Sequence, residues 1–121
     1  MYRNKIEELK KWKNSLNRKP LIIRGARQVG KTWLMKEFGN KFYEKCAYIN
    51  FDDNSRMDKL FDGDFDLERI IQGLKIESGV NIEPENTLII LDEIQETPKA
   101  LKALKYFCEN AKQYHIISGS M

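Results

Sequence analysis

The chain has little of what braces a protein covalently or ties it to a membrane. Of its 121 residues only two are cysteine, three proline and one histidine. Cys46 and Cys108 form no Cys-x-x-Cys pair, so neither a zinc ribbon nor a dithiol redox centre is spelled out. They read as reduced thiols in a cytosolic core. No apolar run approaches the ~20 residues that cross a bilayer, so no membrane partner is expected. The start of the chain is basic, but no apolar segment follows it, which argues against a secretory signal and for a cytoplasmic location. There is no internal repeat and no low-complexity stretch. What remains is ordinary for a globular protein, 41% hydrophobic and 32% charged, in a length that suits one domain with one core.

The most informative stretch is Gly25-Ala-Arg-Gln-Val-Gly-Lys-Thr32, a complete Walker A phosphate-binding loop. The glycines let the backbone turn tightly and approach a phosphate. The loop N–H groups form a nest for an anion, and the positive end of the following helix adds to it. Lys31 is placed to reach the β- and γ-phosphates, and the Thr32 hydroxyl to ligate Mg²⁺. The nucleotide-binding stretch is therefore Gly25, Ala26, Arg27, Gln28, Val29, Gly30, Lys31, Thr32 and Trp33. Its context fits. The apolar run Leu21-Ile22-Ile23 suits a buried strand, and residues 32–38 lack Gly and Pro, with Gly39 placed as a helix stop.

A second motif answers the first. Leu88-Ile89-Ile90-Leu91 followed by Asp92-Glu93 reads as a buried parallel strand with carboxylates at its C-terminal end, where open α/β sheets bind ligands. Asp92 then holds Mg²⁺ beside Thr32, and Glu93 takes a proton from the attacking water. Small-molecule P-loop kinases generally do not need this Glu, and the Asn-Lys-x-Asp that reads guanine is absent, so adenine nucleotide hydrolysis is favoured. Ser118 and Ser120 are candidates to touch the γ-phosphate or the water. Asn50 is a candidate to hydrogen-bond Glu93 and keep it idle. His115 reads as a strand residue.

The elements alternate. Residues 3–16 form an amphipathic helix with Ile6, Leu9, Trp12 and Leu16 near one face. Residues 47–51 form a second strand. Asp66 caps a helix bearing Leu67, Ile70, Ile71 and Leu74. Thr97-Pro98 starts another helix, whose buried face is Leu101, Leu104, Phe107 and Cys108. Residues 114–117 form a last strand, after which Ser118-Gly119-Ser120-Met121 ends the chain; a plain Ser-Gly-Ser turn stands open beside a sensing role for the two serines. The expectation is an α/β chain with a parallel sheet flanked by helices, a leading helix over 1–19 and a nucleotide-binding core over 20–121. Charge is uneven. Residues 1–41 carry 12 Lys and Arg against 3 acids, net +9, and residues 42–121 carry 9 against 15, net −6. A basic face attracts polyanions, but no reader motif accompanies it, so nucleic acid is a partner without a motif behind it.

Arg18-Lys19-Pro20 through Phe38-Gly39, then Leu91-Asp92-Glu93-Ile94-Gln95, then Leu104-Lys105-Tyr106-Phe107-Cys108-Glu109 closely resemble a group of bacterial and archaeal AAA+-type ATPases, known mainly as ATP-binding proteins. The resemblance covers nearly the whole chain. It implies a P-loop NTPase fold with a five-stranded sheet, in which the Ser-Gly-Ser strand lies between the P-loop and Asp-Glu strands. By this likeness Lys31 and Thr32 match the first nucleotide motif, Asp92 and Glu93 the second, and Ser118 or Ser120 the sensor position. Family members are longer. They continue with a fifth strand, segments that bear an arginine finger, a helical lid and a C-terminal domain of uncertain, nuclease-like function. The chain thus reads as an N-terminal portion, incomplete at its C-terminus, with the P-loop strand at a sheet edge open to self-association or to the missing segment. The function implied is Mg·ATP binding and hydrolysis. The alternatives are nucleotide binding without turnover, and nucleic-acid binding through the basic N-terminal third.

Overall fold

Runs of aliphatic residues too short for helices become strands here, and the amphipathic stretches between them become helices. A computed structural model describes residues 2–15, 19–24 and 30–120. The order is α1 (Tyr2–Lys13), β1 (Leu21–Arg24), α2 (Lys31–Phe42), β2 (Lys45–Asn50), α3 (Ser55–Phe61), α4 (Leu67–Ser78), β3 (Thr87–Asp92), α5 (Pro98–Asn110) and β4 (His115–Ser120). A single 3-10 turn, Ile94–Glu96, links β3 to α5.

The strands form one sheet in the order β1-β4-β3-β2, and every pairing is parallel. Parallel neighbours need crossovers, so helices cover both faces. On one face α3, α4 and α5 pack Phe61, Ile70, Leu74 and Phe107 against Ala47, Ile49, Ile89 and Ile116. On the other, α1 and α2 pack Leu9, Met35 and Phe38 against Leu88, Ile90 and Ile117. Central β3 and β4 are buried along their whole length, which is why β3 reads as an unbroken apolar run. As the resemblance implied, β4 lies between β1 and β3. Four strands are seen among the described residues, and β1 is an edge of the sheet they form.

Local chemistry explains most boundaries. Asp66 caps α4 by accepting the N–H groups of Glu68 and Arg69. Asn54 caps α3 by accepting from Met57 N–H. Three expectations need correction. Gly39 does not stop α2, which runs on to Phe42. It sits inside the helix because a Cβ there would meet Cys46 Sγ at 2.7 Å: the glycine lets α2 lie close on β2. The buried face of α5 is Ala100, Ala103, Leu104 and Phe107, whereas Leu101 is 37% exposed. The two alanines bring the helix close to the sheet, and Cys108 is only half-buried. Finally, the last strand does not end at Ile117, and of the readings left open for Ser118-Gly119-Ser120 the turn is not formed. The segment completes β4, paired with Ile22, Ile23 and Arg24 of β1. Thr97 precedes α5 as expected, but its hydroxyl reaches across to Asp58 of α3 at 2.8 Å rather than capping its own helix. Leu16 lies outside the described residues.

Candidate nucleotide site

All four strands point their C-terminal ends the same way, so Arg24, Asn50, Asp92 and Ser120 gather at one rim of the sheet. Parallel α/β sheets bind ligands along that rim. The first residue of α2, Lys31, also lies there. Its side chain is buried, and its ammonium stands 3.2 Å from Glu93 Oε2 and 3.9 Å from Asp92 Oδ1. A buried cation needs such partners, since a desolvated, unpaired charge costs several kcal/mol (roughly). Thr32 Oγ1 donates to Asp92 Oδ2 at 2.5 Å. The two motifs, some sixty residues apart in sequence, therefore meet side chain to side chain.

Glu93 sits one residue beyond β3 with φ 56, a left-handed conformation unusual for a side chain larger than Asn. Residues held this way collect at functional sites, where the surrounding structure enforces the geometry. Here the enforcement is visible. Glu93 N–H donates to Asp92 Oδ1 at 3.0 Å, and Gln95 Nε2 donates to Glu93 Oε1 at 2.8 Å. Lys31 brings one positive charge and Asp92 and Glu93 two negative ones, all buried.

The donors fit Mg²⁺. Hydroxyl and carboxylate oxygens are hard ligands, and Mg²⁺ typically takes only one or two of them from protein, completing its shell with water and phosphate. Thr32 Oγ1 and Asp92 Oδ2 lie together as such a pair. No cluster of three or more His, Cys, Asp or Glu suited to a metal occurs among the described residues.

Of the remaining candidates, Gly25, Ala26, Arg27, Gln28 and Val29 lie outside the described residues. Gly30 precedes α2 with φ 76. Trp33 is 53% exposed. Asn50 ends β2 and its Oδ1 accepts Asp52 N–H, while Glu93 Oε1 accepts from Gln95 Nε2. Ser118 is fully buried, and among the described residues its hydroxyl has no hydrogen-bond partner. Ser120 ends β4, level with Arg24. Alternation along the strand puts both serines on the face of Ile116. Gly119 between them faces α2, where a Cβ would meet Asp92 Oδ1 at 2.7 Å, Met35 Cε at 2.9 Å and Lys31 Cε at 3.1 Å. His115 is a buried strand residue whose Nδ1 lies 2.5 Å from the Tyr43 hydroxyl.

Two residues escaped the sequence reading. Gly119 makes the room that Lys31 and Asp92 occupy. Tyr48 of β2 donates its hydroxyl to Asp92 Oδ2 at 2.8 Å, and the Lys36 ammonium sits 4.1 Å from its ring centroid. Burial, then the Asp92 hydrogen bond, hold the Tyr48 phenol well above its ordinary value. The available signal was the alternation in Ala47-Tyr48-Ile49-Asn50, which puts Tyr48 on the face that carries Asp92. Between α1, α2 and the edge strand β1 there is also a cavity of about 460 Å³, lined in part by Trp12, Leu21, Ile23, Lys31 and Leu34.

A wholly parallel sheet flanked by helices, with Lys31 at the start of α2 and carboxylates at the end of β3, has the P-loop NTPase fold of the AAA+ type. The family described as AAA domain matches residues 17–121, and the chain belongs to that family. Among solved structures, C. elegans PCH-2 is similar over 98% of this chain and 34% of its own, at 18% identity and a TM-score of 0.50. That likeness concerns the fold, and the chain spans about a third of that protein's chain. No curated protein matches the sequence. The chain thus carries a nucleotide-binding domain of the ATPase type. No helix among the described residues is long and apolar enough to cross a membrane.

Proposed function

We propose that this domain binds Mg·ATP at the rim formed by Lys31, Thr32, Asp92 and Glu93 and hydrolyses it. The observation that carries the reading is the mutual contact of those four side chains: Lys31 to Glu93 at 3.2 Å and Thr32 to Asp92 at 2.5 Å. In this reading Lys31 exchanges Glu93 for the β- and γ-phosphates, keeping its charge paired throughout. Thr32 and Asp92 hold Mg²⁺, and the loop amides and Gly30 hold phosphate oxygens. Bound there, Mg²⁺ offsets the negative charge of the phosphates. Glu93, released from Lys31, accepts the proton of the attacking water at a carboxylate oxygen, the role a general base fills when its geometry is set in advance. Ser120, at the end of β4, is the better placed of the two serines to sense the γ-phosphate. The cavity beside β1, where Trp12 and Leu21 stand beside the charged Glu8, Arg24 and Lys31, offers the base a seat.

The test separates binding from turnover. Glu93→Gln keeps the shape and removes the base. Its affinity for a non-hydrolysable ATP analogue is expected to match or exceed wild type, because Lys31 loses a competing anion. Its turnover is expected to fall by ~10²–10⁴. A Glu93→Gln variant with full turnover would remove Glu93 from the mechanism.

A further inference from the structure

We propose that Tyr48 is a positioning residue for the metal-holding carboxylate: its hydroxyl fixes the orientation of Asp92 and so tunes the affinity for Mg²⁺ at the bound nucleotide. This rests on the reading above, in which Thr32 and Asp92 hold the ion. The geometry is specific. Asp92 Oδ1 is engaged by the Glu93 N–H at 3.0 Å, while Oδ2 accepts two hydroxyls, Thr32 at 2.5 Å and Tyr48 at 2.8 Å. If Thr32 were to ligate the ion, its hydroxyl would serve the metal as well as Asp92. The Tyr48 hydroxyl, outside the metal-holding pair, would hold Oδ2 without being drawn to the ion. It approaches from β2, an element that carries none of the nucleotide motifs, and it pairs in register with Ile90, two residues before Asp92. Its ring is held in turn by packing against α2 and by the Lys36 ammonium, 4.1 Å from the centroid. Such outer partners of ligating carboxylates typically change metal affinity by about 10–100-fold when removed.

The experiment is a calorimetric titration of the chain with a non-hydrolysable ATP analogue, in excess Mg²⁺ and in EDTA. It compares wild type, Tyr48→Phe, Asp92→Asn and the double variant, with thermal melts alongside. Tyr48→Phe keeps the ring, its packing and the Lys36 contact and removes only the hydroxyl. The expected result is an EDTA affinity close to wild type and a loss of about tenfold of the tightening that Mg²⁺ confers. In the Asp92→Asn background Tyr48→Phe is expected to add no further loss, because the group it positions is gone. A wild-type Mg²⁺ dependence retained in full by Tyr48→Phe would overturn the role of Tyr48 alone. Equal weakening with and without Mg²⁺ would also overturn it, showing a packing role. Wild-type binding indifferent to Mg²⁺ would overturn the metal assignment of Asp92, and this inference with it.

Discussion

Lys31 is a single cation inserted between two carboxylates, and its neighbours are fitted closely around it. Gly119 shows how closely. A methyl group there would stand 2.7 Å from Asp92 Oδ1 and 3.1 Å from Lys31 Cε, closer than van der Waals contact allows. Gly119→Ala is therefore expected to displace Lys31 or Asp92, to cost about 1–3 kcal/mol of stability as overpacking, and to weaken nucleotide binding. Chemical denaturation and calorimetry read the two effects. Lys31→Ala is expected to lower the melting temperature of the nucleotide-free chain, since removing one partner of a buried ion pair leaves the other uncompensated, at a cost of about 3–5 kcal/mol. An unchanged melting temperature would mean that water reaches Asp92 and Glu93 freely. Chemistry at this scale was partly legible. Lys31, Thr32, Asp92 and Glu93 stand in motifs whose spacing relative to a strand or a helix start carries the signal. Gly119 and Tyr48 do not. Their approaches to Asp92 span 27 and 44 residues of sequence; strand alternation assigns each a face of the sheet but not its neighbour across it.

At the scale of elements, what matters is how each helix seats on the sheet. Gly39→Ala would ordinarily stabilise a helix by roughly 0.5–1 kcal/mol. Here the added Cβ meets Cys46 Sγ at 2.7 Å and Leu88 Cδ2 at 3.3 Å, so the substitution is expected to destabilise by about 1–3 kcal/mol. Cys46→Ala in the same chain is expected to recover part of that loss, a coupling that a double-mutant cycle in urea measures directly. The α3–α4 pair is held differently. Arg56 Nε and Nη2 each donate to Glu77 at 2.8 Å, and Asn54 Nδ2 donates at 3.1 Å. The Arg56 hydrogen bonds hold the Glu77 carboxyl below its ordinary value of 4.5, against a smaller opposing effect of burial. A depressed folded-state pKa contributes stability that is present above 4.5 and lost as pH falls through the folded value. Glu77→Gln is thus expected to be less stable than wild type at pH 7, by a small margin that solvent screening limits and that narrows as pH falls below 4.5. Element types and the α4 cap could be read from sequence because they depend on neighbours a few residues away. The role of Gly39 and the buried face of α5 could not, because a helix stop and a close helix–sheet approach select the same small residue.

For the molecule as a whole, the sheet order β1-β4-β3-β2 is what brings the two nucleotide motifs together. It sets β4 between them, with a glycine at the level where the side chains meet. The parallel architecture was legible from the alternation of apolar runs and amphipathic stretches, and the central place of β4 came from likeness to a family rather than from any residue pattern. Edge strand β1 is only half-buried, and the cavity beside it is lined in part by Lys31, so the proposed phosphate site adjoins this edge. The central claim is that Lys31 gives up its carboxylate partners for phosphate. It is tested most directly by calorimetric titration of the chain with Mg·ATP beside Lys31→Ala, at a temperature where circular dichroism shows both folded. The account predicts saturable binding by the wild type and none by the variant. Equal binding by both, or no binding by a folded wild type, would contradict it.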